Sequence, residues 1–567
     1  MYIERVPNRN SRPAILLREA WREGKTVRKR TVANLTDWPA AKVEALRQVL
    51  RGEVLAAPAP LFTVERAVPH GHVAALLGTV RRLGLDTLLA TKRCRERDLV
   101  LALLVERLLH PCSKLATIRL WSTTTLAEEL AVADATEDEV YAAMDWLETR
   151  QAQIEGKLAH RHLAEGARVF YDVSSSFYEG RTCPLAQFGH DRDGKRGLPI
   201  IVYGVLTDEA GRPVAIEVYP GSTGDPTTVP DQVEALRQRF GLSRVVLVGD
   251  RGMLTETQLE TLRQFPGVGW ISALRGPAIR ALVEQGALQL SLFDATHLAE
   301  ITAPDYPGER LIACFNPLLA EERGRKRQDL LAATERAFHQ IAREVARRRK
   351  TPLTAAEIGV KVGRVRDRFK VGKHFALTIA DGVFQWERKE EAIRREAALD
   401  GLYVIRTSEP AAQLSAADTV RTYKNLAQVE RVFRCLKGLD LRVRPIYHRT
   451  EPRVRAHFFL CLLAFYVEWH LRAALRPLLF EDEQLPQNRL TRDPVAPAQP
   501  SPAVKRKKAQ RITADGLPVH SFDTLLAALG TRCRTTCRMT ADPAAPRVQQ
   551  LTEPTLLQAR ALELLQL

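Results

Sequence analysis

Cysteine is scarce in this chain: eight residues in 567, at positions 94, 112, 183, 314, 435, 461, 533 and 537. Such scatter excludes a disulfide framework and points to a reducing cytoplasm. Zinc-type spacing is missing too, because Cys533 and Cys537 are the one close pair and no second His/Cys pair stands near them. The opening MYIERVPNRNSRP has no apolar signal core. The longest apolar run, Phe458 to Val467, has ten residues, half a membrane span, and reads as a buried helix. Ligand loops are absent as well. Asp191 and Asp193 in GHDRDGKRG are followed by Gly too early, and by no terminal Glu, for a calcium loop. Gly24-Lys25-Thr26 has Glu19 where a phosphate loop needs its first Gly, and GSTGDPTT (221–228) lacks the Lys-Ser/Thr pair and reads as a sheet-edge loop. There is no internal repeat.

Positive charge, in contrast, is abundant. Lys and Arg number 84 against 67 Asp and Glu, a net +17, in a chain that is 45% hydrophobic. This length predicts two or more domains with ample core. The surplus favours a polyanionic partner, and in a cytoplasm the leading polyanion is nucleic acid.

Patterning divides the chain into six segments. Residues 1–56 alternate in polarity (AILLREAW, then VRKRTVA) and predict two strands joined at Glu23–Lys25, an N-terminal β arm. APAP at 57–60 reads as a linker. Residues 61–165 repeat with helical period and predict a helical domain with basic faces. From 166 to 275 come β-type runs (167–173, 198–206, 213–219, 245–250, 268–274), with a hairpin turn at 208–211 and a helix at 231–242, an α/β sheet. Residues 276–410 read as an inserted subdomain with a long charged helix (319–350) and β-type pieces, and helix returns over 411–475. Residues 476–567, with QPSPAVKRKKAQR, read as a basic, Pro-rich linker and tail.

Two aspartates end apolar runs: Asp172 in RVFYDVSS and Asp250 in VVLVGDRG. A carboxylate beside a buried strand is costly unless a cation meets it, so the pair invites a metal reading if the two strands lie parallel and adjacent. The expected helix RTYKNLAQVERVFRCLKG adds Tyr423, Glu430 and Lys437, spaced by seven and therefore on one face, with Arg434 one turn from Glu430. Leu426, Val429, Val432, Phe433 and Leu436 occupy the opposite, core-facing flank. His448 and His457, which flank a helix start, fit core or phosphate-adjacent places better than general-base catalysis.

The arrangement Asp172 … Asp250 … Tyr423-x6-Glu430-x6-Lys437 resembles the DDE transposases of bacterial insertion sequences, in the group with a Tyr-Arg-Glu-Lys signature and a β-rich insertion before the glutamate. The segments RLLHPCSKLAT (107–117), YDVSSSFYEG (171–180), DRGM (250–253) and YHRTEPRVRAHFFLCLLAFYVEWHLR (447–472) resemble that family's blocks, and the likeness extends over most of residues 1–475. The signature's Arg position holds Leu426, with Arg421, Lys424 and Arg434 as substitutes.

The resemblance implies an RNase H-like core interrupted by a β-containing insertion, after a helical domain and a short N-terminal β region. It implies that Asp172, Asp250 and Glu430 hold two Mg²⁺ ions, for which Mn²⁺ substitutes, and catalyse DNA cleavage and strand transfer. Tyr423, Lys437, Arg434 and Arg251 would contact DNA near the element's end, and Arg453 and Arg455 its backbone. Residues 61–165 would contribute recognition of the ends. The implied partners are double-stranded DNA, both transposon ends and target, and a second copy of the chain in the DNA complex, in the cytoplasm at the nucleoid and with no membrane. Two rival readings share parts of this pattern: an RNase H-like nuclease or resolvase, and an inactive transposase-derived DNA-binding protein.

Overall fold

The computed structural model describes residues 1–9, 11–53, 62–294, 296–539 and 546–567. The linker expected at 57–60 lies outside the described residues. The chain divides into two compact units, one of residues 1–68 and 534–552, the other of 69–533 and 553–567.

In the first unit, β1 (Tyr2–Val6), β2 (Ala14–Glu23) and β3 (Thr26–Asn34) form an antiparallel sheet. The β2–β3 turn falls at Gly24-Lys25, with Gly24 at φ +65°, the left-handed conformation a tight hairpin demands. The unit also holds α1 (Ala40–Leu50) and a second sheet in which β4 (Phe62–Pro69) neighbours the strand Cys533–Met539, itself paired with Val548–Leu551. Structure and expectation differ here: β1, α1 and the second sheet extend the unit beyond the two strands expected.

The second unit begins with helices α2 (Gly71–Arg82), α3 (Arg95–Leu109), α4 (Glu137–Thr149) and α5 (Gln151–His162). Thr136 caps α4 through a reciprocal bond with Glu139, which satisfies two of its otherwise orphaned amides. There follow β5 (Ala167–Phe177), β6 (Ile200–Thr207), β7 (Pro213–Pro220), β8 (Val245–Val248), β9 (Val268–Ala273), α6 (Gly276–Glu284), β10 (Leu298–Ile301) and β11 (Arg310–Phe315). Next come α7 (Pro317–Arg347), α8 (Ala355–Phe369), β12 (Phe375–Ala380), β13 (Val383–Arg388) and β14 (Leu402–Thr407). The unit continues through α9 (Ala416–Lys424), α10 (Ala427–Lys437), α11 (Glu451–Leu475), α12 (Pro502–Gln510), α13 (Phe522–Gly530) and α14 (Leu556–Leu564).

Eight of these strands make one mixed sheet in the order β10-β11-β14-β9-β8-β5-β6-β7. β5–β8 and β8–β9 pair in parallel, and the rest are antiparallel. Every residue of β6 and β8 is buried, as continuous apolar runs such as IIVYGVL require. Gly204 on β6 lies under the Tyr171 ring, whose hydroxyl would sit 2.2 Å from a Cβ there.

The span 276–410 does not stand apart as one insertion. Its strands β10, β11 and β14 extend the main sheet, while α7, α8 and the β12–β13 hairpin enclose a separate core around Phe338, Phe375 and Phe384. Nor is 476–567 a loose tail. Phe522, Leu525, Leu529, Ala561 and Leu565 belong to the main core, and the basic run lies on α12, where buried Lys507 donates to Glu483 (2.9 Å) and to the carbonyl of Arg476 (3.1 Å). Helix α11 is long and apolar enough to cross a membrane, yet its apolar stretch is mostly buried inside the protein, with Phe458, Phe459, Leu460, Leu462 and Leu463 fully covered. At about 1.5–3 kcal/mol per buried side chain, this helix is the axis of the core.

Because Leu565 is fully buried, Leu565→Ala is expected to lower unfolding free energy by about 2–5 kcal/mol in denaturant titrations. A change within about 0.5 kcal/mol, the usual surface value, would mean that the C-terminal helix is not part of the folding unit.

Candidate active site

The parallel pairing of β5 with β8 runs from Ala167↔Val245 to Phe170↔Val248. Two residues further along each strand are Asp172 and Asp250, so the two carboxylates stand level at one edge of the sheet. The 78-residue spacing between them is the register offset itself, 245 − 167 = 250 − 172. Asp172 remains within β5, opposite Val205 of β6. Asp250 follows the end of β8, where its Oδ1 accepts from the amides of Gly252 (2.9 Å) and Met253 (2.7 Å). Glu430 comes from the first turn of α10. All three line one cavity of about 880 Å³, together with Arg251, Tyr423 and Leu426.

The electrostatics match this convergence. Burial pushes the Asp172 carboxyl up to about 7, and the neighbouring Asp250 and Glu430 charges add to the rise. Arg192 is the cation that opposes it. Tyr423 is raised to about 12, by burial first and then by Asp250. Three carboxylates with no ion-pair partner among the described residues fit a hard divalent cation. Another set of ligand-type groups, Cys435, Asp440 and Glu468, draws closer together, with all ligand atoms within 4.8 Å. There the place of a cation is taken by Arg472, 2.5 Å from Glu468 and 3.5 Å from Asp440.

The helix expected over 416–437 is two helices. Asn425 and Leu426 form a tightened turn in which the amides of Gln428 and Val429 bond three residues back, to Asn425 (2.8 Å) and Leu426 (3.0 Å). Tyr423 therefore reaches the cavity from α9 and Glu430 from α10, and the single-face argument for all three heptad positions does not hold. Lys437 is held elsewhere: its ammonium donates to Asp193 (3.1 Å), which Arg444 also pairs. Arg434 is exposed and has no ion-pair partner among the described residues. Arg453 and Arg455 form no free basic face, because Arg453 pairs with Asp145 (3.2 Å) and Arg455 with Glu451 and Glu217 (2.8 Å each). Of the substitutes for the signature arginine, Arg421 engages Asp418 and the carbonyl of Arg492, and Lys424 the carbonyl of Val495 (2.9 Å). Arg280 and Arg323 line the same cavity and were not anticipated, since neither sits in a motif.

Two strands and a helix that bring three acidic side chains to one cavity make a carboxylate-centred site, an arrangement able to hold metal ions for phosphoryl transfer. Sequence comparison gives the family. A model of the transposase DDE domain matches residues 186–467, which include Asp250 and Glu430, and a model of the IS1634 family transposase N-terminal domain matches residues 3–58. The chain belongs to the insertion-sequence DDE transposases. No curated protein matches it. Among solved structures, a piggyBac transposase synaptic complex with hairpin DNA is similar at 10% identity, covering 79% of this chain and 85% of that chain, with a TM-score of 0.26, too low to bear on the fold.

Two outcomes test this geometry. The Asp172 carboxyl ordinarily titrates at 3.8 and is raised to about 7 in the folded chain, so its contribution to stability is full below 3.8 and lost as pH rises through 7. With divalent ions chelated, Asp172→Asn is expected to melt roughly 1–4 °C above the native protein at pH 8, a gap that closes toward pH 4. An equal melting temperature at pH 8 would contradict the buried, repelled carboxylate. A Cβ on Gly252 would lie 3.3 Å from both Asp250 carboxylate oxygens, so Gly252→Ala is expected to slow catalysis about tenfold or more by displacing that carboxylate, with little change in melting temperature.

Proposed function

We propose that this transposase binds the terminal inverted repeats of its own element, cuts the DNA there and joins the 3′ ends to target DNA, with an RNase H-like core as the catalytic unit. The observation that carries the reading is the level placement of Asp172 and Asp250 on parallel strands, with Glu430 facing the same cavity. These three carboxylates would hold the divalent ions, two Mg²⁺ with Mn²⁺ as a substitute. When bound, such ions supply Lewis acidity toward a phosphodiester and acidify water or a 3′-hydroxyl. Tyr423 and Arg251, on the wall of the same cavity, bind and orient the DNA phosphates, and Leu426 beside them limits water access. Exposed Arg434 extends this basic edge. Lys437 acts indirectly, fixing the Asp193 loop against α10. Recognition of the ends is assigned to the helical region 61–165, and the bringing together of two ends to a dimer of this chain on DNA.

The test uses donor DNA carrying the element's own terminal repeats and scores excision and strand transfer. Native protein is expected to give metal-dependent products, and Glu430→Gln to lower their rate by roughly 10²-fold or more while retaining repeat binding. Repeat binding without cutting by either protein would instead identify a transposase-derived binding protein, and Leu426→Arg would then be examined for recovery of cutting. Cutting that needs no paired repeats would identify a nuclease or resolvase.

A further inference from the structure

The segments 107–117 and 447–459, both among the family-like blocks, meet in a second cavity that shares no lining residue with the first. It measures about 290 Å³, and Arg107, Lys114, Arg442, Tyr447, His448 and His457 line it. Arg107 and Lys114 are 5% and 3% exposed. Cations so buried are normally met by a carboxylate, and among the described residues neither is. Arg107 donates to the carbonyl of Cys112 (3.1 Å), and Lys114 has no hydrogen-bond or ion-pair partner among the described residues. Glu106, the acidic neighbour in sequence, is engaged by His110 (2.8 Å).

The groups acting on Lys114 are Arg107 and the thiols of Cys112 and Cys461, and burial pushes its ammonium down to about 7. His448 is pushed down to about 3, by burial and then by Lys114, Arg107 and Arg453, the last already answered by Asp145. His457 gives one ring nitrogen to the carbonyl of Val443 (2.8 Å), while its Nδ1 is buried without a partner. Nitrogen groups thus line a cavity that, among the described residues, has no carboxylate in its wall. At the mouth, Arg442 is exposed in a left-handed conformation (φ +44°), and Tyr447 is 62% exposed. A guanidinium and an ammonium that converge suit a phosphate, and an aromatic ring beside them suits the sugar or base attached to it.

We propose that this cavity is a phosphate-binding site, with Arg107 and Lys114 as its charged floor and Arg442 and Tyr447 at its mouth, and that its occupant is a backbone phosphate of the bound DNA. The DNA assignment rests on the function proposed above; the phosphate site does not.

The experiment has two arms, each with native protein, Lys114→Met and, as a charge control, Lys505→Met on the exposed side of α12. In the first, thermal unfolding is followed in inorganic phosphate and in chloride at equal ionic strength. Phosphate is expected to raise the native melting temperature. Lys114→Met is expected to melt no lower than native in chloride and to gain nothing from phosphate. In the second arm, the salt dependence of binding to a terminal-repeat duplex is expected to flatten by roughly 0.9 in log–log slope in Lys114→Met and not in the control. No phosphate effect on native protein, or the same gain in Lys114→Met, overturns the site. A phosphate effect with unchanged DNA slope overturns the DNA assignment and leaves free phosphate as the occupant. Should Lys114→Met fail to fold, Arg442→Asn at the exposed mouth replaces it, with the same two readouts. Neither arm requires cleavage, so a Glu430→Gln protein that cuts normally would refute the catalytic reading and leave this one standing.

Discussion

The site depends on one alignment, the parallel register of β5 on β8. Side chains alternate along a strand, so a slip of one residue would send Asp250 to the opposite face from Asp172 and separate the carboxylates. Packing on both sides prevents that slip. Tyr171 fills the space over Gly204, the amide of Gly249 bonds the carbonyl of Ile271 (3.1 Å), and the Ser272 hydroxyl donates to the Asp250 carbonyl (3.2 Å). The last two contacts tie the end of β8, and with it the turn that presents Asp250, to β9. Glu430 is then brought in by a helix whose other face, Val429, Val432, Phe433 and Leu436, is buried in the same core.

The alternation and apolar runs of the sequence suffice for the β5–β6–β7 meander, for the hairpin turn at 208–211 and for the buried character of α11, because each is a local pattern with one physical solution. The pairing of β10, β11 and β14 with the main sheet is not local. It joins strands separated by a helical excursion, α7 and α8, whose own core conceals the fact that the chain returns to the sheet. The tail is a similar case: QPSPAVKRKKAQR has the composition of a solvated arm, and only tertiary contact, with Lys507 drawn to Glu483, makes it a docked helix. At the site, the two aspartates and the glutamate were legible because apolar strands and an amphipathic helix point to them. Basic residues were not, since an arginine's reach allows several partners, and Arg453, Arg455 and Lys437 found acidic ones within the protein. The heptad Tyr423-Glu430-Lys437 misleads for a related reason: spacing by seven fixes a face only while the helix is unbroken, and it breaks at Asn425–Leu426.

Charge compensation separates structure from function in this chain. Elsewhere in the interior, buried ions occur as answered sets: Arg406 with Glu309 and Glu256, Arg327 with Asp400, Arg472 with Glu468, Arg239 with Glu155. Leaving one partner of such a set alone costs several kcal/mol, so a fold selected for stability alone would have no reason to keep an unanswered buried charge. Two of the places that depart from this rule do so in opposite senses. Asp172, Asp250 and Glu430 are carboxylates with no ion-pair partner among the described residues, although Arg251, Arg280 and Arg323 stand on the wall of the same cavity, whereas the cavity of Arg107 and Lys114 has cations and no carboxylate in its lining. On the readings proposed above, a metal cation would meet the first and a phosphate the second, and these are the two charged species that a DNA-cutting reaction brings together. Binding at either place would then raise the stability of the folded chain in the complex.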